Sequence, residues 1–390
     1  MLPATVSYLK GRNGMGIGIY VHIPFCVSKC AYCDFYSLPS AKADAFLKER
    51  YVKALIRQIE SAKSVYGKQE ILSVFFGGGT PTVLETEQLL RIINTLKSSF
   101  NLTRNTEFTV EANPATFDED KLTALREAGV NRISLGVQSA NNNELELLGR
   151  IHSFEQAKDA FNLTRKCGFD NISIDLMYGV PSQTKESLLD SVKAVCELSP
   201  EHISLYGLQL EEGTPLCKNR ERYTFPSEDE CVSMFSSAIA LLKQNSYGRY
   251  EISNFSRVGK ECRHNLLYWS QGEYLGFGVG AYSYFDNKRF HLDGDIDAFC
   301  NADSFSDIIT VDEVLDCHDK EREFLMLSLR LTQGFPEKDL FDRTRNPQFY
   351  LNRIQKFIDS GHMARNDERI FFTESGFNVS NAILSEILFD

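Results

Sequence analysis

Three cysteines, Cys26, Cys30 and Cys33, lie in the run HIPFCVSKCAYCDF (22–35) with the spacing CxxxCxxC. Thiolates are soft ligands that select iron–sulfur clusters or zinc. A structural zinc ion takes four protein ligands in a closed tetrahedron, and this loop offers three cysteines. A zinc reading must therefore recruit His22 or a distant side chain. Three thiolates on a [4Fe–4S] cluster leave one iron without a protein ligand. That open iron can take the amino and carboxylate groups of S-adenosylmethionine (SAM). An electron from the cluster can then break the sulfur–carbon bond and give a 5′-deoxyadenosyl radical. The protein's share of such chemistry is to hold SAM over the open iron and to exclude competing reactions.

Those residues need elements to position them. Strands are expected at GIYVHI (18–23), SVFFG (73–77), EFTVE (107–111), RISLGV (132–137), NISIDLM (171–177) and HISLYGL (202–208). Helices are expected between them at 44–63, 85–100, 119–128, 154–167, 185–198 and 228–245, with Thr86 and Ser187 as capping residues. Six strand–helix units in series predict a parallel sheet with helical crossovers. Strands rich in Val, Ile, Leu and Phe suit a sheet buried on both faces. Six units do not close an eight-stranded barrel, so the expected α/β fold is an open, partial (β/α)6 TIM-like barrel. The cysteine loop follows the first strand. FGGGTPT (76–82) follows the second, where glycines let backbone approach a ligand. The next three strands end in Glu111-Ala112-Asn113-Pro114, Gly136-Val137-Gln138-Ser139 and Asp175-Leu176-Met177-Tyr178-Gly179. Polar groups thus gather at the C-terminal ends of parallel strands, where barrel active sites sit.

The remaining sequence divides the chain into 1–246, a linking β and loop region at 247–310, and a C-terminal part at 311–390. That last part reads as helices, a small hairpin around Asn366–Asp367 and a final helix, a winged-helix-like α+β pattern. Residues 311–390 hold 15 Asp and Glu against 10 Lys and Arg, and the whole chain carries a net charge of −11. Both repel a phosphate backbone, so nucleic acid is not an expected partner. No apolar run reaches the length of a membrane span. The segment MLPATVSYLKGRNGMGIGIY lacks an apolar h-region and a small-residue cleavage site, so no secretory signal is expected. Ten cysteines without such a signal point to a reducing, cytoplasmic setting.

The motifs FFGGGTPT, TVEANP, NRISLGVQS, LGRIHS and SIDLMYGVP, with the run from Tyr20 through Ser37, resemble the coproporphyrinogen-oxidase-like branch of the radical SAM superfamily over essentially the whole chain. The resemblance implies that Cys26, Cys30 and Cys33 bind the [4Fe–4S] cluster. It implies that Tyr20 and Phe35 pack against SAM and the cluster, and that Gly78, Gly79 and Thr80 meet the SAM amino acid moiety. Glu111, Gln138, Arg150 and Asp175 would bind SAM polar groups. The oxygen-independent coproporphyrinogen III oxidases of this branch carry a further cysteine where this chain has Phe35, and a longer extension before the cluster. Both departures point to the haem-chaperone subgroup, HemW, whose marker HNxxYW is present as His264, Asn265, Tyr268 and Trp269. That subgroup implies haem as a ligand, with His264 as a candidate axial group. Its implied partners are haem-accepting respiratory proteins, a flavodoxin- or ferredoxin-type electron donor, and the membrane only peripherally, through those partners. Related chains often read GAHS where this one has Gly280-Ala281-Tyr282-Ser283, so Tyr282 stands here in place of that histidine. The residues alone leave another reading of the motif open, with His264 and Asn265 satisfying loop backbone and Trp269 filling a core.

Overall fold

The computed structural model describes residues 10–11, 14–292, 294–366 and 368–389, with residues 10, 11, 14 and 15 described by backbone alone. The secretory-signal reading falls largely on residues outside this set, as does Asp367 of the expected hairpin turn.

Six strands, β1 (Ile17–Ile23), β2 (Glu70–Gly78), β3 (Asn101–Ala112), β4 (Arg132–Gln138), β5 (Ile172–Tyr178) and β6 (His202–Gly207), pair in parallel and in sequence order. The helices that cross between and after them are α1 (Ala45–Tyr66), α2 (Thr86–Ser99), α3 (Glu119–Glu127), α4 (Phe154–Lys166), α5 (Lys185–Leu198) and α6 (Glu228–Gln244). This is the open (β/α)6 arrangement expected of the sequence. Two caps differ from expectation. Helix α2 is capped at Glu85, whose N–H donates to Gln88 Oε1, and α5 at Thr184, whose hydroxyl accepts the Ser187 N–H. Thr86 is the first residue of its helix, one past the cap, and Ser187 is the reciprocal member of the box that Thr184 opens.

The alternation along each strand explains the layering. Ile19, Val21, Val74, Phe76, Phe108, Val110, Ile133, Leu135, Ile174, Leu176, Ile203 and Leu205 are buried in one cluster with the helices. Their neighbours in sequence point the other way. These are Tyr20, His22, Ser73, Phe75, Glu107, Thr109, Glu111, Arg132, Ser134, Asp175, His202, Ser204 and Tyr206. The outer face is thus packed under the helices, whereas the inner one is polar and aromatic and only partly covered, with Tyr206 41% exposed.

Residues 247–310 continue the same sheet. The strand β7 (Asn254–Ser256) pairs antiparallel with β6. At the opposite edge β8 (Tyr274–Phe277) adds parallel to β1, and β9 (Tyr282–Phe285), β10 (Lys288–Leu292) and β11 (Ile309–Val314) extend it as an antiparallel meander. The sheet has 12 strands, with Gly248–Arg249 at one edge and β11 at the other. The HNxxYW motif forms a helix, α7 (Arg263–Trp269), where short strands and loops were expected. Its first turn is satisfied from outside: Glu107 of β3 accepts the N–H groups of Arg263 at 3.1 Å and His264 at 3.2 Å. A cap supplied from that far along the chain leaves no local signal. Trp269 is only partly buried. Beyond it, helices Cys317–Ser328, Glu337–Arg343, Pro347–Asp359 and Ser380–Leu388 and a three-stranded sheet enclose a separate apolar cluster.

Candidate functional site

The cysteine loop leaves the end of β1 and is held at many points. Phe25 is buried, with its ring 5.3 Å from that of Tyr51 in an edge contact. His22 sits between two anchors: its Nδ1 bonds the Tyr20 hydroxyl at 3.0 Å and its Nε2 bonds the Tyr36 carbonyl at 2.8 Å. The Ala31 N–H donates to the Leu148 carbonyl and the Ala31 carbonyl accepts from Leu216 N–H. The eleven-residue stretch from Cys26 to Tyr36 is thereby tied to β1, to the segment after β4 and to the segment after β6.

Beneath it lies the glycine loop at the end of β2. Gly78 has φ +109, and a Cβ there would strike the His22 ring at 2.5 Å. At Gly79 a Cβ would lie 2.7 Å from the Phe25 carbonyl oxygen and 3.0 Å from Cys26 Sγ. Only glycine permits so close a seat. The Thr80 hydroxyl points at Cys26 Sγ from 3.7 Å and accepts from Asn113 Nδ2 at 2.8 Å. Arg150 completes the ring: one guanidinium nitrogen donates to Cys30 Sγ at 3.3 Å, and the other to Asn113 Oδ1 and the Gly136 carbonyl. Cys26 and Cys30 are thus linked through Thr80, Asn113 and Arg150. The buried Nε of Arg150 has no partner among the described residues.

These residues line one cavity of about 450 Å³, which also takes in Cys33, Phe35, Gly78, Glu111, Gln138, Asp175, Tyr32, Ser134 and Tyr206. That volume falls in the range of small-molecule and cofactor sites. Gln138 reaches it through a break in the β4–β5 register and stands at φ +73, a conformation that side chains rarely adopt. Burial pushes the Cys26 and Cys33 thiols up, against hydrogen bonds from Thr80 and from the Phe35 backbone respectively. Their thiolates therefore form when a cation is there to neutralise them. Burial and then the charge of Asp175 push Glu111 up to about 8, and burial raises Asp175 as well. Two carboxyls facing one low-dielectric cavity attract a cationic ligand such as an ammonium or a sulfonium. The donor set, the glycine seat and the paired carboxyls fit a cluster with SAM. Among the described residues no group of three or more His, Cys, Asp or Glu side chains is gathered around a single ion position.

Of the residues singled out in the sequence, Cys26, Cys30, Cys33, Phe35, Gly78, Gly79, Thr80, Glu111, Gln138, Arg150 and Asp175 all meet at this cavity. Tyr20 does not line it. Its ring stacks on Phe75 at 6.3 Å and its hydroxyl holds His22, so it supports the loop from below. His264 is also apart from it. Its ring is 1% exposed, bonded through Nδ1 to Ser73 Oγ and through Nε2 to the Tyr268 hydroxyl, each at 2.8 Å, and stacked on Phe75. Reading the sequence missed Asn113 as the link between Arg150 and Thr80. It also missed Ser134 and Tyr206, which period-2 alternation from Arg132 and Ser204 would have placed on the inner face.

A family model described as the Radical SAM superfamily matches residues 20–195, which spans the cysteine loop and the first five strands. The coproporphyrinogen III oxidase HemN from Escherichia coli, a radical SAM enzyme, superposes with a TM-score of 0.81 at 24% identity, covering 95% of this chain and 90% of that one. The fold and cavity are those of a radical SAM protein, a class whose cofactors are a [4Fe–4S] cluster and SAM. Curated proteins named Heme chaperone HemW are more similar in sequence. The one from Lactococcus lactis is 34% identical over 95% of this chain and 97% of its own, and the one from Bacillus subtilis is 33% identical over 95% and 98%. This chain belongs to the HemW family.

Proposed function

We propose that this protein is a radical SAM haem chaperone that binds haem and hands it to haem-accepting respiratory proteins. What supports this reading is the likeness to proteins named Heme chaperone HemW over nearly the whole of both chains. In this reading Cys26, Cys30 and Cys33 hold the [4Fe–4S] cluster. Gly78, Gly79 and Thr80 offer backbone and hydroxyl groups to the SAM amino acid moiety, and Glu111, Gln138 and Asp175 take its polar groups. When bound, the pair supplies reductive cleavage of a sulfur–carbon bond. The chain's own contribution is placement: Arg150 and Thr80 fix the Cys30 and Cys26 sulfurs, and the inner face of the barrel shields the cavity floor from water. A flavodoxin- or ferredoxin-type protein supplies the electron, and the protein works in the cytoplasm. No helix among the described residues is long and apolar enough to cross a membrane, which fits contact with membranes only through partners.

The experiment is anaerobic reconstitution of the full chain, followed by parallel assays for haem stoichiometry and for turnover of coproporphyrinogen III with SAM and a reductant. Stoichiometric haem without protoporphyrinogen IX is expected. No haem above background, or formation of protoporphyrinogen IX, would replace this reading with that of a coproporphyrinogen oxidase or another radical SAM enzyme. The resemblance to HemN in fold is what makes that second reading worth assaying.

A further inference from the structure

Haem iron is commonly held by a neutral imidazole, and an imidazole whose two nitrogens are already engaged inside the protein must first give up a hydrogen bond. The chain has seven histidines. His22, His202 and His264 each have both ring nitrogens bonded within the barrel. His152 is buried against the Val137 carbonyl, and His318 is half-buried with an enclosed Nδ1 that no described residue bonds, so no carboxylate orients its ring. His362 leans on the neighbouring hydroxyl of Ser360 in the C-terminal part.

His291 differs. Its Nδ1 bonds the Asp312 carboxylate, at 2.8 and 3.0 Å to the two oxygens, while no described residue bonds its Nε2. An imidazole that gives its Nδ1–H to a carboxylate presents the Nε2 lone pair outward, in a fixed tautomer and orientation. Metal-ligating histidines are held in this way. The side chain keeps a quarter of its surface exposed.

The register places an aromatic plate beside it. Tyr282 of β9 pairs directly with His291 of β10, their rings are 5.2 Å apart, and Tyr282 is 58% exposed. The same face of the sheet continues through Tyr284 and Tyr274, which meets Tyr268 of α7 at 4.5 Å. The opposite face, with Phe285 and Phe290, packs on α1 and its surroundings. His291 therefore stands on the inner face. The turn before Tyr282 also reaches the cysteine loop, since a Cβ on Gly280 would lie 3.9 Å from that of Tyr36.

We infer that His291, oriented by Asp312 and flanked by the open ring of Tyr282, is the side chain that ligates the iron of bound haem through Nε2, at the rim of the sheet beside the cysteine loop. The inference rests on the haem-binding reading above. The bond is a simple donation from a neutral nitrogen to iron. The ring of Tyr282 offers a flat apolar surface to the macrocycle. His264 then keeps a structural role in the barrel interior.

The test is titration of ferric protoporphyrin IX into the full-length wild type, His291→Ala, Asp312→Asn and His264→Ala, followed by absorption and EPR spectroscopy. The wild type should show a histidine-ligated spectrum. In His291→Ala that signature should disappear and the affinity fall at least tenfold, with added imidazole restoring the spectrum. Asp312→Asn should keep the ligand and weaken binding about tenfold, the scale on which outer-shell partners act. His291→Ala should unfold with the wild-type midpoint, because the ring is at the rim. If the wild type binds haem and His291→Ala gives the same spectrum and affinity, the inference is overturned and the haem reading survives. Loss of the histidine signature in His264→Ala alone would overturn it equally. A wild type that takes up no haem overturns both.

Discussion

Replacing Gly79 with alanine tests the seat of the cysteine loop by adding one methyl group. The Gly79 N–H donates to the Ile23 carbonyl at 2.9 Å and the Thr80 N–H to the Phe25 carbonyl at 2.8 Å, so the glycine loop and the cysteine loop are stitched back to back. A Cβ on residue 79 would come within 2.7 Å of the Phe25 oxygen and within 3.0 Å of both the Ile23 oxygen and Cys26 Sγ. Two of these neighbours are backbone oxygens, one on the last residue of β1 and one two residues beyond it, and cannot rotate away. The two loops must separate by several tenths of an ångström. Overpacking of this kind costs about 1–3 kcal/mol. At 1.4 kcal/mol per factor of ten, the seated loop becomes about 5- to 150-fold less populated. The assay is iron and sulfide content after anaerobic reconstitution and chelator challenge, alongside urea unfolding of the same samples. Gly294→Ala is the control, since a Cβ there meets nothing within 4 Å. Gly79→Ala should lose iron to the chelator far faster and unfold earlier, while Gly294→Ala behaves as wild type. A Gly79→Ala protein with wild-type iron retention and stability would show that the close approach is not needed to hold the cluster loop.

Three further outcomes are expected. Glu107→Ala removes the outside cap of α7 and leaves two buried N–H donors, so it should destabilise the fold by about 2–4 kcal/mol; Glu107→Gln keeps one acceptor and should cost less, and urea unfolding in which the two variants match would contradict the cap. His264→Ala should destabilise by about 2–4 kcal/mol by orphaning Ser73 and Tyr268. Burial, and next the charge of Arg132, lower His264 to about 3, so its share of the stability is present above the unfolded value near pH 6.5 and fades as pH falls towards 3; the variant should show a flatter acid limb in unfolding scans. Glu111, raised to about 8 by burial and then by Asp175, takes up a proton on folding of the SAM-free protein. Its stabilising share is complete below the ordinary glutamate value and disappears as pH rises through 8. Glu111→Gln should remove that slope between pH 5 and 9, and an unchanged slope would place the coupling elsewhere.

The cysteine spacing, the six strands and the polar strand ends were all legible in the sequence, because each is a local pattern. A ligand triad lies within one loop, a period of two marks a strand, and a topological rule sends parallel strand ends to the same side. Cys26, Cys30, Cys33, Gly78, Gly79, Thr80, Glu111, Gln138 and Asp175 meet at one cavity for that reason, and the family resemblance added Phe35 and Arg150. The misplaced caps show the limit of local signals, since a box has two members and Ser187, the second, can look like the cap, while Thr86 lies one residue past its cap Glu85. The loop expected at the HNxxYW motif shows a larger limit, because its helix is capped across the sheet.

What the sequence alone determined is therefore which chemistry the chain can hold: three thiolates beside a glycine loop, at the mouth of a parallel sheet. Only the tertiary structure decided how the supporting groups are shared out. It turned Tyr20 and the buried His264 into supports, with every nitrogen of His264 engaged. It made Asn113 the bridge from Arg150 to Thr80, and set Tyr282 against His291 with Asp312 behind. The physical reason is that each such pairing joins strands or loops far apart along the chain. A hydrogen bond is decided by tenths of an ångström and by orientation, and these are fixed only when the whole sheet has taken its register.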